Sequence, residues 1–160
     1  MALFTVGHGT RSTDELVAVV RSAGVERLVD VRRHPGSRRN PHLSRQALAV
    51  ALPALGLVYE WRGEELGGRR APARPTRHPE WADDGFRGFA DYMDAPEFQA
   101  ALHRLTADAA QGPPLAVMCA ETLWWRCHRR LIAEAAVAAG TEVIHILGSG
   151  QTQAHPAGLV

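Results

Sequence analysis

The chain reads as an α/β protein, a mainly parallel five-stranded sheet with helices on both faces in a three-layer sandwich. Three observations predict this class. Short β-prone segments alternate with stretches of helical periodicity almost from end to end. Two of the segments, residues 28–31 and 115–118, suit strands covered on both faces, as central parallel strands are. Gly24, Gly56 and Gly140 each stand where a helical pattern stops, the position that favours a residue free to turn left-handed.

Residues 2–6 form the first predicted strand, closed by Gly7-His8-Gly9 as a tight turn. Ser12-Thr13-Asp14-Glu15 has the capping-box pattern, and Leu16, Val19, Val20 and Ala23 follow at helical spacing. The second strand is 28–31, followed by an Arg-, Pro- and Gly-rich loop over 32–42. Ser44 caps a helix running to about residue 55, with Pro53 late in it, and 57–59 is the third strand. From 62 to 85 periodicity vanishes, and a loop that long is a lid, a binding loop or disordered. Helices are predicted over 86–93 and 97–110, the latter breaking at Gly112-Pro113-Pro114. The fourth strand, 115–118, leads through Cys119 into a helix over 124–139, and 143–147 is the fifth strand before a polar tail.

A chain of 160 residues, 46% hydrophobic and 22% charged, is long enough to bury its own core. We therefore expect one domain over residues 1–150, with the 62–85 loop as its long excursion, and a C-terminal tail over 151–160. The apolar start is too short for a signal peptide and no apolar run approaches bilayer length, so the expectation is a cytoplasmic protein without a membrane partner. The two cysteines are then reduced thiols rather than a disulfide framework. Net charge near +1 gives no overall field for DNA or anionic membranes. All 18 basic residues are arginine. Every cation is thus a planar fork suited to phosphate or carboxylate, and no lysine is present for Schiff-base or P-loop chemistry.

In a parallel sheet the residues just past the strands converge on one edge, here His8, Asp30 with Arg32, Glu60 to Arg62, Cys119 with Glu121, and His145. An imidazole, a carboxylate, a thiol and arginines gathered there suit an anion. Cys119, at a strand-to-helix transition near Arg126, is the candidate nucleophile, with burial at a strand end as the structural alternative. Cys127 reads as packing, on the helix face of Leu131. His128, on the face of Ile132, suits a general base or an orienting donor. The loop from Arg32 through Ser37 and Arg38 to Asn40 can wrap a phosphate, and Arg69, Arg70, Arg74 and Arg77 extend a basic rim. Cys119, Cys127, His128, His8 and His34 are conceivable metal ligands, but their spacing matches no usual zinc pattern, so no cofactor is expected.

Thr5-Val6-Gly7-His8, Leu28-Val29-Asp30-Val31-Arg32 with Pro35 and Ser37-Arg38, Leu66-Gly67-Gly68, Cys119-Ala120-Glu121 with Cys127-His128-Arg129, and Val143-Ile144-His145-Ile146 occur in this order. Together they resemble the DUF488 family of bacterial and archaeal proteins. The resemblance implies an α/β fold and a site on His8, Asp30, Arg32, Ser37, Arg38, Cys119, Glu121, Cys127, His128 and Arg129, but no particular reaction. Val29-Asp30-Val31-Arg32 is also similar to an early segment of rhodanese-type sulfurtransferases. Cysteine phosphatases place an arginine six positions after the cysteine. Here Arg126 is the first, seven positions after Cys119, and Ala120 to Trp125 lack the glycines of a phosphate cradle.

The leading expectation is a cysteine-dependent enzyme, a hydrolase or transferase, acting on a small anionic substrate that bears phosphate or resembles a nucleotide. Cys119 attacks, Arg32, Arg38 and Arg129 bind with Ser37 and Arg126 nearby, Asp30 completes the centre, His8 or His128 moves protons, and Glu121 orients them. The alternatives are a nucleic-acid-binding or processing protein, and a non-catalytic anion- or metal-binding module.

Overall fold

The computed structural model describes residues 2–36 and 38–156. It contains one six-stranded sheet in the order β3-β2-β4-β1-β5-β6. The strands are β1 (Leu3–Gly7), β2 (Arg27–Asp30), β3 (Val58–Trp61), β4 (Leu115–Cys119), β5 (Val143–Gly148) and β6 (Gln151–Ala154). The first five are parallel, and β6 runs antiparallel to β5. All five residues of β4 are buried, as a strand packed on both faces requires.

The helices are α1 (Thr13–Ser22), α2 (Arg45–Ala54), α3 (Gly63–Leu66), α4 (Asp84–Met93), α5 (Pro96–Gln111) and α6 (Arg129–Ala138). On one face Leu16 and Val20 of α1 and Leu48 and Leu52 of α2 pack on Val6, Leu28 and Met118. On the other, Phe89, Phe98, Leu105 and Ile132 from α4, α5 and α6 pack on Val29, Val117 and Val143. This is the three-layer arrangement. The capping box at Ser12 and Glu15 forms in both directions, and Ser44 accepts from the Ala47 amide.

β1 and β4 are neighbours, yet the chain leaves β1 for α1 on one face and β4 for α6 on the other. A crevice opens where successive connections diverge in this way, beyond the carboxyl ends of the strands. Gly7 is required there. A Cβ at this position would collide with the carbonyl oxygen of Glu121, so the bare backbone lets the loop after β4 lie against the end of β1.

Three expectations are corrected. Part of the expected C-terminal tail is a strand: Gly150, at φ 69°, closes a turn and Gln151–Ala154 pairs with β5 through backbone bonds that need no apolar pattern. The helix expected over 124–139 begins late, because Trp124–Arg126 is a 3-10 turn and Cys127 is extended (φ −121°, ψ 153°), leaving His128 as the cap of α6. Cys127 therefore leaves the helix face of Leu131, whereas His128 keeps helical backbone angles and accepts from the Ile132 amide one turn on at 3.1 Å. Finally, of the alternatives for 62–85 it is disorder that is set aside, because α3 occupies its start and the rest is tied down. The Asp91 carboxylate accepts from the Ala73 and Arg77 amides and the Thr76 hydroxyl at 2.7–2.9 Å, and Tyr92 donates to the Glu65 carbonyl at 2.7 Å.

Candidate functional site

The crevice is a cavity of about 660 Å³ lined by His8, Gly9, Arg32, Arg33, His34, Gly36, Asn40, Gly68, Arg69, Asp83, Gly85, Phe86, Cys119, Ala120, Glu121, Arg126, Cys127 and His128. These residues come from the ends of β1, β2 and β4, the loops after β2 and α3, the start of α4, and the turn before α6.

On the β1–β2 side Asp30 is fully buried and accepts four hydrogen bonds. Arg32 grips it through Nε at 2.9 Å and Nη2 at 2.7 Å, the Arg32 amide adds 3.0 Å, and Tyr59 donates its phenol at 2.6 Å. Burial and the Asp30 charge hold the Tyr59 proton well above its ordinary range. Arg32 is in turn 9% exposed and directs Nη1 to Nε2 of His8 at 3.1 Å. Since Nδ1 of His8 donates to the Gly9 carbonyl at 2.8 Å, Nε2 is the acceptor and the ring is neutral. Burial first, and Arg32 in addition, lower the His8 pKa. Asp30 is thus saturated and lies beneath Arg32 rather than on the cavity wall.

On the β4 side the two sulfurs meet. The extended backbone of Cys127 brings its Sγ to 2.7 Å from Sγ of Cys119, as donor, and Nδ1 of His128 lies 3.4 Å from Cys127. Nε2 of His128 donates to the Val31 carbonyl at 3.1 Å, which fixes the tautomer and leaves the Nδ1 lone pair facing the thiols. Burial pushes the His128 pKa down to about 4. Gly68 backs this ring: a Cβ there would sit 3.0 Å from Nδ1.

Behind the sulfurs Arg129 is 1% exposed. Its Nη2 donates to the Glu121 and Thr122 carbonyls at 3.1 and 3.3 Å, while Nε and Nη1 are buried without a partner. Among the described residues no carboxylate pairs with it. Burial alone raises the Cys119 pKa, but the Cys127 hydrogen bond, the Arg129 charge and a backbone hydrogen bond at Glu121 more than offset this, and the pKa falls. For Cys127 the bond to Cys119, then burial, hold the proton far above the ordinary thiol range. The two thiols titrate as a pair, the first proton lost below the ordinary thiol range and the second held above it.

The family model described as Domain of unknown function DUF488 matches residues 12–136 of the 160-residue chain. The chain belongs to the DUF488 family. No curated protein and no solved structure matches it.

In this DUF488 chain His8, Arg32, Cys119, Glu121, Arg126 and His128 line one cavity, with Asp30 and Arg129 buried behind. Glu121 accepts from the Leu123 amide at 3.1 Å, which fixes the turn after Cys119. Arg38 is exposed and is not among the lining residues. Ser37 lies outside the described residues. Two groups expected at the ligand edge are elsewhere. Arg62 is held by Glu60 and Asp108, and His145 sits within β5 against Thr5 and His155 beneath Trp124. Arg62 turns away because Asp108 of α5 offers a charge partner, and His145 faces a helix-covered side of the sheet rather than its end. Helical periodicity predicts packing for Cys127, which does border the core, but its contact with Cys119 depends on an extended residue that periodicity does not signal. Arg33 of the phosphate-wrapping loop and Arg69 of the basic rim line the cavity, and Phe86 joins them although no sequence signal marks it as a site residue. Among the described residues no three His, Cys, Asp or Glu side chains are arranged to hold a metal ion, and no helix is long and apolar enough to cross a membrane.

Proposed function

We propose that this protein is a cysteine-dependent enzyme, a hydrolase or transferase, acting on a small anionic substrate that bears phosphate or resembles a nucleotide. The observation that carries the reading is Arg129, a buried guanidinium that among the described residues has two unpartnered nitrogens and no carboxylate, beside a thiol that ends the central strand. An unpaired buried charge costs several kcal/mol, and a Cys119 thiolate supplies the missing anion.

In this reading Arg32 and Arg126 hold the anionic group, with Arg33 and Arg69 at the rim, and Asp30 keeps the Arg32 fork in place. The Cys119 sulfur bonds to the electrophilic atom as the leaving-group bond breaks, and water or a second acceptor resolves the covalent intermediate. An anion that draws Nη1 of Arg32 away frees Nε2 of His8 as a proton acceptor at the cavity wall. His128, with its pKa near 4, serves to orient Cys127 rather than as a base at neutral pH.

Alkylation with iodoacetamide across a pH series, with the modified cysteine mapped by mass spectrometry, tests this. We expect Cys119 to react with a midpoint below the ordinary thiol value of about 8.5 and to be protected by inorganic phosphate. An ordinary midpoint without protection removes the nucleophile.

Exposed Arg33, Arg38, Arg39 and Arg69 favour one second reading, in which the protein binds or processes nucleic acid through backbone phosphates. Retention on single-stranded DNA that falls with salt and is lost in Arg38→Ala and Arg69→Ala variants is its expected result, and no retention at low salt ends it.

A further inference from the structure

We propose that Cys119 and Cys127 form a reversible intramolecular disulfide on reaction with hydroperoxides, making this cavity a peroxide-reducing dithiol site. Two observations carry it. The sulfurs are already 2.7 Å apart as free thiols, so bonding requires a shift of less than about 1 Å. Both residues line the cavity, with Cys127 only partly buried, so a molecule as small as hydrogen peroxide has a path to the pair. The electrostatics agree: the buried Arg129 favours an anionic sulfur on Cys119, and the thiolate is the form that attacks peroxides.

The chemistry closes without another co-reactant. The Cys119 thiolate attacks one peroxide oxygen, an S–O bond forms, the O–O bond breaks, and the departing oxygen takes the Cys127 proton to leave as water or an alcohol. The Cys127 thiolate then attacks the sulfenic sulfur of Cys119, the S–S bond forms, and hydroxide leaves. Two electrons pass from the sulfurs to the peroxide. Oxidation also removes the counter-ion of Arg129, so the oxidised site is left with an uncompensated buried cation and no nucleophile.

The proposal needs only the two sulfurs and goes beyond the enzymatic reading above. Its test is peptide mapping of the reduced full-length protein after hydrogen peroxide, under denaturing, non-reducing conditions. The expected wild-type product has lost two hydrogens, carries a Cys119–Cys127 link, has no alkylatable thiol, and regains both thiols with dithiothreitol. In a Cys127→Ser variant the reaction stops at a Cys119 sulfenic acid that dimedone traps. Two thiols surviving peroxide, Cys119 over-oxidised beside a free Cys127, or disulfides between chains would each overturn it, and the wild-type map decides even if the variant does not fold. Should the pair stay reduced while Cys119 still alkylates as a thiolate, the redox proposal alone fails. A disulfide formed in a protein without phosphate protection leaves it standing and removes the anionic substrate.

Discussion

At the scale of single residues the site is governed by two buried arginines with opposite circumstances. Arg32 has its carboxylate, and among the described residues no other cation pairs with Asp30, so removing either charge strands the other in the interior. We expect Asp30→Asn to cost about 3–5 kcal/mol in urea denaturation, the range for breaking a buried ion pair from one side. Tyr59→Phe, which removes one of the four bonds to Asp30, should cost only about 1–2 kcal/mol. A loss under about 1 kcal/mol for Asp30→Asn would mean that Arg32 reaches water. Arg129 lacks such a carboxylate, and its charge acts on Cys119. Replacing it by Gln should raise the Cys119 midpoint, read from thiolate absorbance, while Arg129→Lys restores much of the shift. An unchanged midpoint in a folded Arg129→Gln protein would assign the lowered pKa to Cys127 and the Glu121 backbone. The residue types of this centre were legible in the sequence. Their pairing was less so: the Cys119–Cys127 contact and the empty side of Arg129 depend on three-dimensional neighbours eight or more positions away that no spacing rule specifies.

At the scale of elements, legibility followed the kind of force that forms each one. Strands β1, β2, β4 and β5 and helices α1 and α2 announced themselves because their apolar faces and caps are written in local sequence. The polar β6 did not, since an edge strand is recruited by the exposed backbone of β5. Nor did the break before α6, where Ala-rich periodicity downstream of Trp124 predicts one long helix although Cys127 leaves it. The join between β1 and the loop after β4 is the element contact on which the cavity depends. Gly7→Ala inserts a methyl group into the Glu121 carbonyl and must push that loop, with Cys119 and Cys127, away from β1. We expect a loss of about 2 kcal/mol or more in thermal or urea unfolding, together with slower Cys119 alkylation. Full stability and unchanged reactivity would place the loop's support elsewhere.

At the scale of the whole molecule the buried histidines make the fold acid-sensitive, and the sensitivity reaches the site. Burial, then the Arg129 charge and His155, push the His145 pKa down to about 3, and His155 and His128 are lowered chiefly by burial as well. Below the ordinary value of 6.5 the unfolded chain takes up protons that the native chain refuses, so native stability falls as pH falls. For His145 the loss runs from about pH 6.5 down to about 3, at a slope near 1.4 kcal/mol per pH unit while the ring stays neutral. Its structural target is specific. The His145 ring is stacked on Trp124 at 4.2 Å between centroids and hydrogen-bonded to Thr5 at 2.5 Å and His155 at 2.9 Å, and Trp124 opens the turn that delivers Cys127 to Cys119. Acid should therefore loosen that turn before global unfolding, seen as a faster decay of Trp fluorescence anisotropy as pH falls from about 6.5 toward about 3. A His145→Gln variant, which cannot take up the proton, should show a shallower dependence of stability on pH over the same window. Equal slopes in the two proteins would transfer the acid sensitivity to His8 and His128, on the cavity side of the sheet.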